Sequence, residues 1–218
     1  MGLYNCIFCT STVTTPLIRK QLVSYLSAAP RTCSSTLLSR AMSTSNLRIE
    51  NTNLQTAPGV ELSQQQKTLV GSVLDLFQGK PTKEKLQLWE DDATFEDPLT
   101  IAKGRKKYEP QWYGLQQAFS EIERLSHQVV SSGNPIIVDL KTRYKVKGIG
   151  KETTVSSKVN IFTSPDGSKI SRVEDKWDGK LPDSSIADIF RKLNSITVPY
   201  LVSIPKSAEE EMKTNSQP

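Results

Sequence analysis

Ile136, Val138, Leu140, Thr142, Tyr144 and Val146 alternate with Asp139, Lys141, Arg143, Lys145 and Lys147. A period of two over this length puts the apolar side chains on one face of a strand and the charges on the other. Such a strand belongs to an antiparallel sheet with one face on a core and one in water. Gly148 and Gly150 turn it, residues 152–163 return, and Pro165-Asp166-Gly167 turns again into 169–178. Upstream, Leu125, His127 and Val129 alternate with Arg124, Ser126 and Gln128. The second half of the chain therefore reads as an antiparallel meander.

Helical periods precede it. Ser63 stands before Leu69, Val70, Val73, Leu74 and Phe77, with Gln66 three residues on as in a capping box and Gly79 at the far end. A shorter helix fits Thr82–Glu90, with Leu86 and Trp89 on one face, and "ATFEDP" reads as a brief strand ended by Pro98. A third helix fits 106–119 through Tyr108, Trp112, Leu115 and Phe119, with Pro110 expected in its first turn. Ser185 caps a last helix carrying Ile186, Ile189, Phe190 and Leu193. The fold class is α+β: a one-faced antiparallel sheet must curl around the three amino-terminal helices, giving a cone-shaped, half-open shell with a cavity. A carboxy-terminal helix and an uncharged apolar extension, 195–205, have to pack on it or form a contact between copies.

Composition matters at the amino terminus. Residues 1–49 contain no acid, and the first 50 hold Arg19, Lys20, Arg31, Arg40 and Arg48 against Glu50. That accounts for four of the five net positive charges, so the basic balance belongs mostly to the leader and not to a nucleic-acid-binding face, and the run Lys103, Arg105, Lys106, Lys107 reads as a solvated loop. An acid-free, Ser- and Arg-bearing leader with an amphipathic stretch at 16–29 reads as a mitochondrial transit peptide. Met42 gives the alternative, a cytoplasmic protein whose translation starts there. The expected organisation is leader 1–42, linker 43–62, folded domain 63–180, carboxy-terminal helix and extension 181–205, and polar tail 206–218.

Several chemistries are excluded. Three cysteines, Cys6, Cys9 and Cys33, all lie in the leader, and His127 is the single histidine, so no metal constellation can be built. No Gly-rich nucleotide loop or nucleophile elbow occurs, and no cofactor is implied. No apolar run approaches the roughly 20 residues of a membrane span.

The segment "WEDDATFEDPLT", residues 89–100, resembles the nuclear-transport-factor-2-like superfamily, which includes SnoaL-like cyclases and ketosteroid isomerases. "DDATFEDP" is similar to the string around the isomerase's catalytic aspartate, and the order of elements over 63–179 agrees. The resemblance implies a cone holding a small apolar ligand, frequent pairing into homodimers through the sheet, and Asp97 at the position of the general base. It places Ser72 or Val73 where the isomerase has its donor tyrosine, and Asn160 where it has a protonated carboxylic acid.

The residues add their own candidates. His127 shares a face with Val129 and could act as acid or base. Asp97 before Pro98 could equally cap a turn. Asp175 and Trp177 share a face with Val173; a carboxylate there has to be paired or hydrogen-bonded if buried. Trp112 and Tyr113 on the third helix and Tyr144 on the clearest strand would line or fill the cavity. Asn160 has Phe162 on its own face and Val155, Val159 and Ile161 on the other, so either face can turn inward. The expected function is a pocket for a small apolar ligand. The alternatives are a cofactor-independent isomerase, dehydratase or cyclase using Asp97 as base, and an interaction scaffold with a filled cone.

Overall fold

A computed structural model describes residues 47–179, 188 and 202–215. The helix expected at 185–193 and most of the apolar extension lie outside the described residues.

Helix α1, Gln64–Phe77, starts at the capping box read from the sequence. Ser63 Oγ accepts from the Gln66 backbone at 3.2 Å, and the Gln66 side chain accepts from the Ser63 N–H at 2.9 Å. Gly79 follows with φ 69°, a left-handed conformation, and a Cβ there would lie 2.7 Å from Ile122 Cδ1. Helix α2 is a single turn, Lys83–Leu86, capped by Thr82. The chain then enters β1, Trp89–Asp97, so Trp89 and Glu90 extend a strand rather than finish a helix. The reason is tertiary: β1 has partners on both sides, β2, Thr100–Lys103, and β6, Ile170–Trp177. Those ladders outweigh the local preference.

Helix α3, Arg105–Ala118, carries Pro110 in its second turn, not its first. The Arg105 side chain is anchored in the fold. Its guanidinium donates to the carbonyls of Leu86 at 2.9 Å and Trp89 at 3.0 Å, and to Asp91 Oδ1 at 2.7 Å.

Strands β3, Phe119–Ser131, β4, Ile136–Val146, and β5, Glu152–Thr163, complete a six-stranded sheet in the order β2-β1-β6-β5-β4-β3. All pairings are antiparallel except β1 with β6, which is parallel. The sheet is unclosed and curved, and its inner face wraps the helices. In β4 the inner set is the one read from the sequence, Ile136 to Val146. In β3 the alternation breaks: the register shifts between Arg124 and Ser126, so His127 and Val129 are buried while Leu125 is exposed. Between sheet and helices lies an aromatic core. The Trp112 ring sits 5.2 Å from Phe77, 5.8 Å from Trp89 and 4.7 Å from Phe95, centre to centre.

Residues 47–62, which read as a linker by composition, carry ordered contacts. Leu47 is buried in the core. Ala57 donates to the Val129 carbonyl and Val129 to that of Gln55, each at 2.8 Å, continuing the sheet beyond β3. Asp75 of α1 is fully buried and accepts from the N–H groups of Glu50 (2.9 Å) and Asn51 (3.1 Å). Lys85, equally buried, pairs with it at 3.0 Å. At the other end, Val202 and Ile204 pack on the core. A final helix, α4, Ala208–Asn215, follows within the stretch that reads as a polar tail. Its Glu211 is buried and accepts from the Tyr113 hydroxyl at 2.6 Å and from the Lys83 N–H at 3.3 Å.

Candidate functional site

A cavity of about 40 Å³ lies between the sheet and the helices. Phe77 ends α1 into it, and Gln111, Trp112 and Leu115 reach it from one face of α3. The sheet contributes Phe95 and Asp97 from β1, Tyr144 from β4, Val155 from β5, and Asp175 and Trp177 from β6.

Two carboxyl groups meet here because β1 and β6 run in parallel. Phe95 pairs with Val173, and Asp97 and Asp175 stand two residues further along each strand, on the same face. Neighbouring strands lie about 4.8 Å apart, so both acids enter the cavity from adjacent positions. Asp97 Oδ1 accepts from the Leu99 N–H at 2.8 Å, which makes it the cap of the β1–β2 turn as well. Burial raises its pKa to about 6; the Leu99 and Thr100 N–H groups oppose that rise and Glu96 adds to it.

Asp175 is more deeply placed. Its Oδ2 accepts from Trp177 Nε1 at 2.6 Å. Burial raises its pKa to about 7, against hydrogen bonds from Ser157 and Trp177, and the charge of Asp97 pushes the same way as burial. Its other oxygen, Oδ1, has no hydrogen-bond partner among the described residues, and neither has the indole nitrogen of Trp112. Among the described residues no ion pair reaches either acid. The Tyr144 phenol is raised above its usual value by burial first and by the charges of Asp175 and Asp97.

Of the residues singled out by sequence, Asp97, Trp112, Tyr144, Asp175 and Trp177 come together. His127, Tyr113 and Asn160 do not line this cavity. His127 accepts the Gln55 N–H on Nε2 at 3.1 Å, so it fastens the amino-terminal segment to β3. Burial lowers its pKa, with Arg124 acting in the same direction, which suits a neutral acceptor. Tyr113 holds α4 through Glu211. Asn160 pairs across the sheet with Glu174 and donates to its Oε2 at 3.2 Å, on the face opposite Val159 and Ile161. The parity of Val155, Val159 and Ile161 is thus the one that points inward. Leu115 was marked only by the helical period it shares with Trp112, three residues before it, and Gln111, next to Trp112, had no signal of its own.

No protein-family model matches the sequence, and no curated protein matches it. Solved structures do. A nuclear-transport-factor-2-like protein of unknown function from Exiguobacterium sp. 255-15 is 18% identical over 51% of this chain and 99% of its own, with a TM-score of 0.43. A structure titled as a SnoaL-like polyketide cyclase, from Shewanella putrefaciens CN-32, is 13% identical over 54% and 82%, with a TM-score of 0.46. A protein with a ketosteroid-isomerase-like fold from Catenulispora acidiphila DSM 44928, in complex with trimethylamine, is 14% identical over 49% and 82%, with a TM-score of 0.41.

Proposed function

We propose that this protein binds a compact organic ligand in the cone, apolar over most of its surface and polar at one end. One observation carries the reading: Asp175 Oδ1 and Trp112 Nε1 are both buried, belong to residues lining one cavity, and have no partner among the described residues. A buried unpaired polar group costs roughly 1–3 kcal/mol, so an occupant that bonds to both recovers that energy. The volume corresponds to about three water molecules, room for a small ligand or the head of a longer one. A four-ring steroid does not fit it.

The test uses the three indole N–H signals of the full chain in nitrogen–proton correlation spectra. Titration with small alcohols, ketones and amines is expected to shift Trp112 and Trp177 saturably while Trp89, at 0% exposure, stays still. If all three remain in place across the panel, the cone is merely a packed core and the interaction-scaffold reading takes over.

A second reading is favoured by the Asp97 carboxyl, which its burial holds near pH 6, where a general base works well. Asp97 would move a proton between carbons of the bound ligand while Tyr144 or a protonated Asp175 donates to the developing oxyanion. His127 and Asn160 have no part in that scheme. Exchange of a small ketone's α-hydrogens into deuterated water, abolished in Asp97→Asn, is its signature. The acid-free leader supports mitochondrial import, which a fluorescent protein fused after residue 42 would report; sedimentation would test pairing into homodimers.

A further inference from the structure

Resting on the pocket reading above, we infer that the ligand is a small organic cation, an alkylammonium ion held between the carboxyl pair and the aromatic wall of the cone.

The composition of the lining carries this. Among the described lining residues five are aromatic, two are acids, and none is Lys, Arg or His. Other buried acids are answered by the protein: Asp75 has Lys85, Glu109 has Lys83, Glu174 has Arg172 and Lys176, and Glu211 has the Tyr113 hydroxyl and the Lys83 N–H. Asp97 and Asp175 have no cation among the described residues, and Asp175 is only 7% exposed. A charge removed from water without a counter-ion is strongly disfavoured. An alkylammonium supplies that counter-ion, and its methyl or methylene groups suit walls made by Phe77, Phe95, Trp112 and Trp177. The faces of such rings attract cations by about 0.5–2 kcal/mol each, most when water is excluded. At about 40 Å³ the cavity has room for an ammonium head bearing a small alkyl group. Trp112 Nε1 still needs an acceptor, which a retained water or a hydroxyl on the ligand provides.

The sign of the pH dependence separates this from a neutral ligand. The titratable groups facing the cavity are Asp97 from β1, Asp175 from β6 and Tyr144 from β4; the described lining residues of α1, α3 and β5 carry none. Raised carboxyl pKa values of about 6 and about 7 leave both acids largely protonated at pH 5 and largely ionised at pH 8. A cation binds the ionised pair and gains affinity as pH rises. A neutral acceptor such as a ketone binds the protonated pair and loses affinity over the same range.

The experiment titrates the full chain with methylammonium chloride and, in parallel, with methanol, a neutral molecule of similar size. The indole signals of Trp112 and Trp177 are followed at pH 5 and pH 8. The expected result is a preference for the ammonium of about tenfold or more at pH 8, falling about tenfold or more at pH 5. Asp175→Asn should lose most of that preference while keeping the Trp89 signal of the folded protein; Asp97→Asn gives a second, independent reduction. Equal binding of the alcohol, tighter binding at pH 5, or undiminished ammonium binding by both variants overturns the cation inference and leaves the pocket reading standing. Silence of the indoles toward both probes and toward the wider panel removes the pocket reading, and this inference with it.

Discussion

Asp175 occupies a position whose neighbours on the same face, Val173 and Trp177, are apolar, and the fold gives up stability to keep a carboxyl there. The sign follows from linkage. Its folded pKa lies near 7, well above the ordinary carboxyl value of 3.8, so the folded state holds the proton more tightly than the unfolded chain. The penalty is absent where both states are protonated and grows as pH rises from about 4 to about 7. Asp175→Asn keeps an oxygen for Trp177 Nε1 and removes the charge. Urea denaturation should show this variant stabilised relative to the parent by about 2 kcal/mol more at pH 8 than at pH 4.5. An effect equal at both pH values would mean that the carboxyl ionises in the folded protein without cost. The opposite case is Asp75, which keeps a full set of partners at zero exposure. The contrast is between a carboxylate whose partners the fold supplies and one whose Oδ1 has none among the described residues.

At the scale of elements, α4 depends on one buried contact. Glu211 accepts from the Tyr113 hydroxyl and the Lys83 backbone, while the other acids of that helix, Glu209 and Glu210, are exposed. Tyr113→Phe should destabilise the protein by about 1–2 kcal/mol and raise the hydrogen exchange of α4 backbone amides. Unchanged exchange would show that Val202 and Ile204 hold the segment without it. Nothing local to the sequence announces this contact, since Glu211 lies 98 residues from Tyr113. The elements that were legible are those whose pattern is local, the α1 capping box and the β4 alternation, whereas β5 carries apolar residues on both faces and left open whether Asn160 or the Val155, Val159 and Ile161 set points inward. The β3 parity misled at Leu125 because a bulge leaves no mark in the hydrophobic pattern. The site was half legible for the same reason. Asp97 and Asp175 could each be picked out, but their adjacency depends on the parallel pairing of β1 with β6, which local periodicity cannot disclose. Composition also hid residues 47–62, which are polar yet hydrogen-bonded to buried groups.

Over the whole molecule, that last segment decides where the folded unit begins. A chain starting at Ser63 would contain every helix and strand of the cone, yet it would lack the Glu50 and Asn51 donors that reach Asp75. It would also leave the space filled by Leu47 empty and uncover Val129 on the edge of β3. Hydrogen bonds to a buried charge contribute about 1.5–3 kcal/mol each. Losing several approaches the entire stability of a typical domain, about 5–15 kcal/mol. Residues 63–218 are therefore expected to melt without a cooperative transition, whereas residues 42–218 unfold cooperatively. The cause can be isolated, because the damage centres on a buried ion pair stripped of its other partners. Replacing that pair with apolar residues, Asp75→Leu with Lys85→Met, removes the unsatisfied charges and should restore part of the transition to 63–218. Cooperative melting of the unmodified 63–218 chain within a degree or two of 42–218 would show that the cone stands without its amino-terminal strap.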